Sequence, residues 1–309
     1  MQEDLDLQKQ AATTPESFGE PPAFLAKVPV AVRNSFVFAA PHSGRHYPKG
    51  FHSLSKLDAR QLRLSEDAFV DDLFDRVTGF GSTQLVATYG RSYLDLNRAV
   101  DELEPGMFSG DLGDHEIDLN NRVKAGLGVV PRIIGEGMPI YDDLIPAREA
   151  FKRLADIYTP YHEALKNLLL ARHKQFGMSM LIDCHSMPSG PELGRKAKAQ
   201  PDIVLGDCWG TSCAREVTGI AERLFLEAGF KVRRNVPYAG GYATRHYGAP
   251  AQGCHALQIE INRGLYMDEQ KVEKLSHFGD VQQRMENVCR EMIQAFGSLQ
   301  ETSIKKAAE

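Results

Sequence analysis

"SMLIDCHSMPSG", residues 179–190, decides the fold. Its opening residues form a continuous apolar run rather than an alternating one. That pattern suits a strand covered on both faces by helices. The run then ends in Asp183-Cys184-His185-Ser186, four groups able to ionise or hydrogen-bond. One reading is a loop that happens to be polar. The other is a strand that delivers a metal ligand or catalytic group to one rim of a sheet.

Five further runs read as buried strands: "SFVFAA" (35–40), "TQLVAT" (83–88), "DIVLG" (202–206), "KVRRN" (231–235) and "ALQIEI" (256–261). Helical periodicity falls between them. From Ala147 to Arg172 the apolar positions Ala147, Phe151, Leu154, Tyr158, Tyr161, Leu165 and Leu168 trace one face. Pro160 interrupts that stretch, which predicts either a kinked helix or two helices with Thr159 capping the second. "SCAREVTGIAERLFLEAGF" reads as a helix ended by Gly229, and residues 267–296 as a third helical region broken near Gly279. Strands alternating with helices predict an α/β three-layer sandwich around a mostly parallel or mixed sheet. The expected organisation is an N-terminal arm over 1–22, one catalytic domain over 23–300 and a C-terminal tail over 301–309.

The bulk numbers agree with a globular enzyme. The 309 residues are 42% hydrophobic and 25% charged, with a net charge of -5 that argues against nucleic acid as the main partner. No apolar stretch reaches the ~20 residues that cross a bilayer. The polar, acidic start and five scattered cysteines point to the cytoplasm.

In open α/β sheets, ligands collect beyond the carboxyl ends of the strands. His42 and Ser43 follow the first run, His185 and Ser186 the third, and Glu260 closes the last, with Arg263 beyond it. Asn97 and Arg98 follow "TQLVAT", and a Gly240-Gly241 turn before Arg245 follows "KVRRN". Two histidines and a carboxylate are the ligand set of a catalytic zinc site with a position open for water. The third ligand is expected from "LSEDAFVDDLFDRV", where Ser65 reads as a helix cap and either Glu66 or Asp67 in the first turn faces the metal. Glu260, at an apolar strand end, suits proton transfer because burial raises its pKa. Each residue also has a plainer role. First-turn acids serve the helix dipole, a histidine after a strand is often only hydrogen-bonded, and Glu260 has Arg263 and Arg98 as salt-bridge candidates. His162 and His173 read as structural or solvated. Cys184 beside His185 points to the opposite face of a strand, which speaks against a Cys–His nucleophile.

"PHSGRHYP", "EDAFVDDLFDRV", "ATYGRSYLDLNRAVDE", "IDCHSMP", "PYAGGYATRHYG" and "LQIEINRGLYMDE", in this order over roughly residues 33–295, resemble the N-formylglutamate amidohydrolases. The resemblance implies a phosphorylase/hydrolase-like fold related to the zinc carboxypeptidases. It implies hydrolysis of N-formyl-L-glutamate to formate and glutamate, a late step of one histidine-degradation route. Carried over, His42, Asp67 and His185 hold Zn2+ or another divalent metal, with Glu66 as the alternative carboxylate, and Glu260 activates water. Asn97, Arg98 and Arg245, with Gly240, Gly241, Tyr242 and Ser43, form the substrate side, and Arg98 also aids catalysis. Unlike the carboxypeptidases, whose first two ligands sit three residues apart, His42 and Asp67 are 25 apart. The implied partner is a small acidic N-acyl amino acid, with no nucleic acid or membrane, bound by a monomer or small homo-oligomer. Two alternatives keep the fold: a zinc deacylase or carboxypeptidase-like hydrolase for another acylated amino acid or short peptide, and a non-catalytic amino-acid-binding protein.

Overall fold

Seven strands make one central sheet: β1 (Phe24–Lys27), β2 (Phe36–Ala40), β3 (Thr83–Ala87), β4 (Ser179–Met187), β5 (Ile203–Gly206), β6 (Val232–Arg234) and β7 (Cys254–Asn262). The computed structural model describes residues 19–135, 137–190 and 200–308. The strand order is β1-β3-β2-β4-β7-β5-β6. β1 and β5 run antiparallel to their neighbours β3 and β7, and the other pairs are parallel. The six runs expected as strands all lie in this sheet. β1 was not expected, because four residues beside Pro21 and Pro22 give too short a pattern to separate from the arm. Residues 1–18 of that arm lie outside the described residues.

The central strands are buried on both faces, as their continuous apolar runs require. Phe36, Phe38, Met180, Ile182, Leu257 and Ile259 point into one core, and Val37, Ala39, Leu181 and Ala256 into the other. The first core is covered by α3 (Arg215–Glu227) and α4 (Phe278–Ala308). The second is covered by α1 (Ala147–Arg153) and α2 (Thr159–Phe176), which are continuous through a π-helical turn, Leu154–Tyr158. The result is helix, sheet, helix.

The π turn sits just ahead of Pro160. Proline has no N–H for the carbonyl four residues back, so the ladder loosens there and one extra residue is accommodated. The buried positions of α1 are therefore Ala147, Ala150 and Arg153, and Phe151, expected inside, is 37% exposed. The third helical region also begins later than the periodicity suggested. Met267–Asp268 pairs with Glu273–Lys274 as a small hairpin, so α4 starts only at Phe278, and Gly279 is its second residue rather than a break. The same helix continues to Ala308 through most of the expected tail, and residue 309 lies outside the described residues. Among the described residues no helix is long and apolar enough to cross a membrane.

Candidate active site

Strand alternation explains why "LIDCH" is polar at its end. Ile182 and Cys184 continue the α3/α4 core, while Asp183 and His185 emerge on the opposite face. β7 runs parallel beside β4 with Gln258 opposite Asp183 and Glu260 opposite His185. Four polar side chains thus form a square patch on one face of two adjacent strands. Cys184 shares no face with His185.

His42 comes from the turn after β2, and its backbone carbonyl accepts the N–H of Asp67 at 2.9 Å. This fixes the carboxylate beside the imidazole despite 25 intervening residues. Ligand atoms of His42, Asp67 and His185 lie within 4.8 Å of one another, and all three residues are buried. Oδ2 of Asp67 is 3.2 Å from Nδ1 of His42 and 2.9 Å from Nδ1 of His185. Its other oxygen accepts from Ser186 Oγ at 3.1 Å and from Arg263 Nη2 at 2.9 Å. Nε2 of His42 meets Asp95 at 2.7 Å, and Nε2 of His185 stands 2.8 Å from Asp183.

These outer contacts test whether the group suits a cation. A carboxylate only accepts, so His42 gives its Nε2 proton to Asp95, and its Nδ1 and that of His185 both turn to one oxygen, Oδ2 of Asp67. A buried carboxylate oxygen facing two imidazole nitrogens calls for positive charge between them, a proton or a cation. The same demand appears in the titration of His185. Burial opposes its charge, but the carboxylates of Asp183 and Asp67 outweigh burial and hold its pKa well above the usual imidazole value. Burial likewise opposes ionisation of Asp67, yet its bonds to His185 and His42 keep it well below the ordinary range. Two imidazoles and a carboxylate, each braced on its far side, are the donor set and outer support of a divalent metal site.

Glu260 lies outside that group. Its Oε1 accepts from Gln258 Nε2 at 2.8 Å, and the side chain lines the same cavity as His42, Asp67 and His185. Burial is the largest influence on it and lifts its pKa to about 7, with His185 and Arg91 opposing and Asp67 and Asp183 adding. A carboxyl poised at neutrality, beside a cation site, is equipped to take and return a proton.

The cavity has a volume of about 620 Å³ and is walled by Leu64, the Pro131–Gly135 stretch and the Pro237–Gly241 turn. Arg98, Arg245, Gly240 and Gly241 line it, as the sequence suggested. Asn97 also lines it, but its amide is spent on the protein. The carbonyl accepts Ala243 N–H at 2.7 Å, and Nδ2 lies 3.2 Å from Asp183 and 3.0 Å from His185. A Cβ at Gly241 would fall 2.2 Å from that amide, which is why the turn needs glycine there. Asn97 is therefore a brace for the pocket wall rather than a free substrate donor.

Five other expectations are corrected. Ser43 does not line the cavity; its hydroxyl donates to Asp67 O and accepts Asp71 N–H, pinning the turn that carries Asp67. Tyr242 packs against His246, and Tyr238 supplies the tyrosine of the wall. Glu66, the alternative carboxylate, is turned away, with its oxygens held by Tyr47 at 2.8 Å and Arg63 at 3.0 Å. Ser65 is no helix cap; it donates to Leu62 O, and the short helix Val70–Leu73 starts from Phe69 in a left-handed conformation. Arg263 and Arg98, considered as partners of Glu260, pair elsewhere: Arg263 with Asp67, and Arg98 with the carbonyls of Leu127 and Asn97.

Four contributors were missed in the sequence. Asp95 and Asp183 support the histidines, Arg91 lines the cavity and bonds Asp95 at 3.0 Å, and Arg122 reaches the cavity from the short helix Asn121–Lys124. Asp183 had a usable signal, standing two residues before His185 on one strand face.

Comparison with known proteins agrees with this geometry. Residues 34–267 match the family model described as N-formylglutamate amidohydrolase. The chain is 30% identical over 269 residues to the N-formylglutamate deformylase of Pseudomonas aeruginosa, covering 85% of this chain and 92% of that protein. It is 30% identical over 266 residues to the enzyme of the same name from Pseudomonas putida, with the same coverage. The crystal structure of N-formylglutamate amidohydrolase from Ralstonia eutropha JMP134 superposes with a TM-score of 0.84 at 31% identity, over 88% of this chain and 98% of that one. A match spanning six of the seven strands of the sheet and every polar residue of the patch leaves one conclusion: the chain belongs to the N-formylglutamate amidohydrolase family.

Proposed function

We propose that the protein hydrolyses N-formyl-L-glutamate to formate and L-glutamate, with zinc held by His42, Asp67 and His185. The observation that carries this reading is Glu260, a carboxyl lifted to about 7, in the same cavity as a braced His–Asp–His group. A divalent cation in that group polarises a carbonyl and lets water lose a proton near neutral pH. Glu260 accepts that proton and later returns it to the amide nitrogen. Oxygen bonds to the formyl carbon, the carbon–nitrogen bond breaks, and the amine leaves with the proton. Arg91 places positive charge near Glu260 and Asp67, where the carbonyl oxygen gains negative charge. Arg98 and Arg245 favour a substrate with carboxylates, since a ligand without them leaves guanidinium groups unanswered.

We assign the reaction to a single domain, residues 23–300, working in the cytoplasm, where the five unpaired cysteines stay reduced. Metal analysis of the purified protein, followed by formate release from N-formyl-L-glutamate and a panel of acylated amino acids, tests the reading. Metal-free protein, or faster release from a non-acidic substrate, would overturn it.

A further inference from the structure

Five arginines line the cavity: Arg91, Arg98, Arg122, Arg245 and Arg263. They differ in what neutralises them. Arg91 pairs with Asp95 at 3.0 Å and Arg263 with Asp67 at 2.9 Å. Arg98 gives Nε to Leu127 O at 2.8 Å and Nη1 to Asn97 O at 2.9 Å, and stands 3.8 Å from Asp95 and from Glu102. Among the described residues, no carboxylate forms an ion pair with Arg122 or Arg245; Arg245 bonds only the carbonyl of Gly240.

The backbone fixes where Arg122 stands. Its helix is capped by Asn120, whose side chain accepts the N–H groups of Arg122 and Val123. The helix closes through Gly126 at φ +84, with Gly126 N–H bonding Val123 O at 2.8 Å and Leu127 N–H bonding Arg122 O at 2.9 Å. That pair of bonds is a Schellman ending, which requires the left-handed residue. Leu127 O is also the acceptor for Arg98 Nε, so one short loop ties Arg122 and Arg98 into the same corner. Burial disfavours the charge on Arg98, Asp95 and Glu102 favour it, and the positive charges of Arg91 and Arg122 oppose it again, with the pKa lowered on balance. The carboxylates beside Arg98 form no ion pair with Arg122, so the two guanidinium groups still repel, and an anion placed between them relieves both.

We infer that Arg122, beside Arg98, receives the side-chain carboxylate of the substrate and selects acidic over neutral N-acyl amino acids. The assignment rests on the proposed reaction for the substrate class, but its recognition step is separable from turnover. A ligand with an amide in place of that carboxylate keeps its shape and loses its charge, so it isolates the contribution of Arg122.

The test is calorimetric binding of L-glutamate and L-glutamine to the metal-loaded protein, in wild type, R122M and R122K. Arg122 is exposed at the cavity mouth, so R122M should fold normally, checked by thermal unfolding. R122M should weaken L-glutamate about 30-fold, a typical loss for a charge-assisted hydrogen bond, and leave L-glutamine within about threefold. R122K should recover part of the loss. Equal glutamate binding by wild type and R122M, a parallel loss of both ligands, or a wild type that does not prefer glutamate would overturn the assignment. Wild type that prefers L-glutamate through Arg122 yet releases no formate from N-formyl-L-glutamate would support the assignment and remove the proposed reaction.

Discussion

Nε2 of His42 lies 2.7 Å from Oδ1 of Asp95, and both side chains are buried. This bond fixes the imidazole tautomer and so decides which atom His42 offers to the centre of the site. Asp95 also holds Arg91 at 3.0 Å and accepts the N–H of Asn97 at 2.9 Å, so one carboxylate orients an imidazole, a guanidinium and the pocket brace. Asp95→Asn keeps the shape but can present an amide N–H where His42 needs an acceptor. Metal affinity should fall 10- to 100-fold, roughly the usual cost of losing such a support. A chelator competition titration measures it, and an unchanged affinity would remove Asp95 from the site's support.

Glu260→Gln separates holding the metal from using it. The side chain stands outside the His42–Asp67–His185 group, so metal content should persist while kcat falls by more than about 100-fold. Stability should move the other way. The folded pKa is raised from 4.5 to about 7, so between these values the folded protein binds a proton that the unfolded chain releases. Stability is therefore lost as pH rises through this window, and the penalty is complete above it. Metal-free Glu260→Gln should be more stable than wild type at pH 8, by on the order of a few kcal/mol, with the gap closing toward pH 5. Chemical denaturation of both proteins at the two pH values reads this directly.

Gln258 tunes the same carboxyl. Its Nε2 donates to Glu260 Oε1 at 2.8 Å, which favours the ionised form. Gln258→Leu removes that donor, so the Glu260 pKa should rise by about one unit. Because the base is the ionised form, the acid limb of kcat/KM should move to higher pH. Any bound cation acts on Glu260 in both proteins, so the direction of the difference survives it. Oε1 of Gln258 has no hydrogen-bond partner, so stability should be nearly unchanged below the Glu260 pKa, while above it the raised pKa costs about 1 kcal/mol. A pH–rate profile that does not move, or moves toward acid, contradicts this role.

The sheet was legible because buried strands write continuous apolar runs, and its polar exits fall where strands end. Asp67 and Glu66 could not be separated from sequence, since the choice depends on a backbone bond from Asp67 to His42 across 25 residues. Ser43 and Tyr242 looked like pocket residues because they neighbour ones that are. Each instead turns toward its own loop, and rotamer direction leaves no mark in a one-dimensional pattern. Arg122 was hidden for another reason. It reaches the cavity through an excursion of chain, from Ala99 to Pro146, whose described residues form only two-residue strands, one 3-10 turn and a single short α-helical turn, and so no periodicity to anchor it.

The long helix has a second duty that the sequence masked as mere packing. Three of its side chains seize carbonyls of the loop that carries Asp95, Asn97 and Arg98. Arg153 Nη1 bonds Tyr93 O at 3.0 Å, Tyr158 Oη bonds Arg98 O at 2.8 Å, and His162 Nε2 bonds Leu96 O at 3.0 Å. Arg153 and Tyr158 are five residues apart, which in a regular α-helix would put them on different faces; the wider π turn between them brings Tyr158 round to the side of Arg153. Burial, partly opposed by the bond to Leu96, lowers the pKa of His162 to about 4, so it stays neutral while Nδ1 accepts from Tyr247 Oη at 2.8 Å. Tyr158→Phe removes one hydroxyl and nothing else. It should cost about 1 kcal/mol of stability and, by freeing the Arg98 carbonyl, raise KM for the acidic substrate several-fold with a smaller change in kcat. A loss of stability with KM unchanged would mean that the hydroxyl only holds the fold. A rise in KM without any loss in a neutral-substrate control ties it to where Arg98 stands.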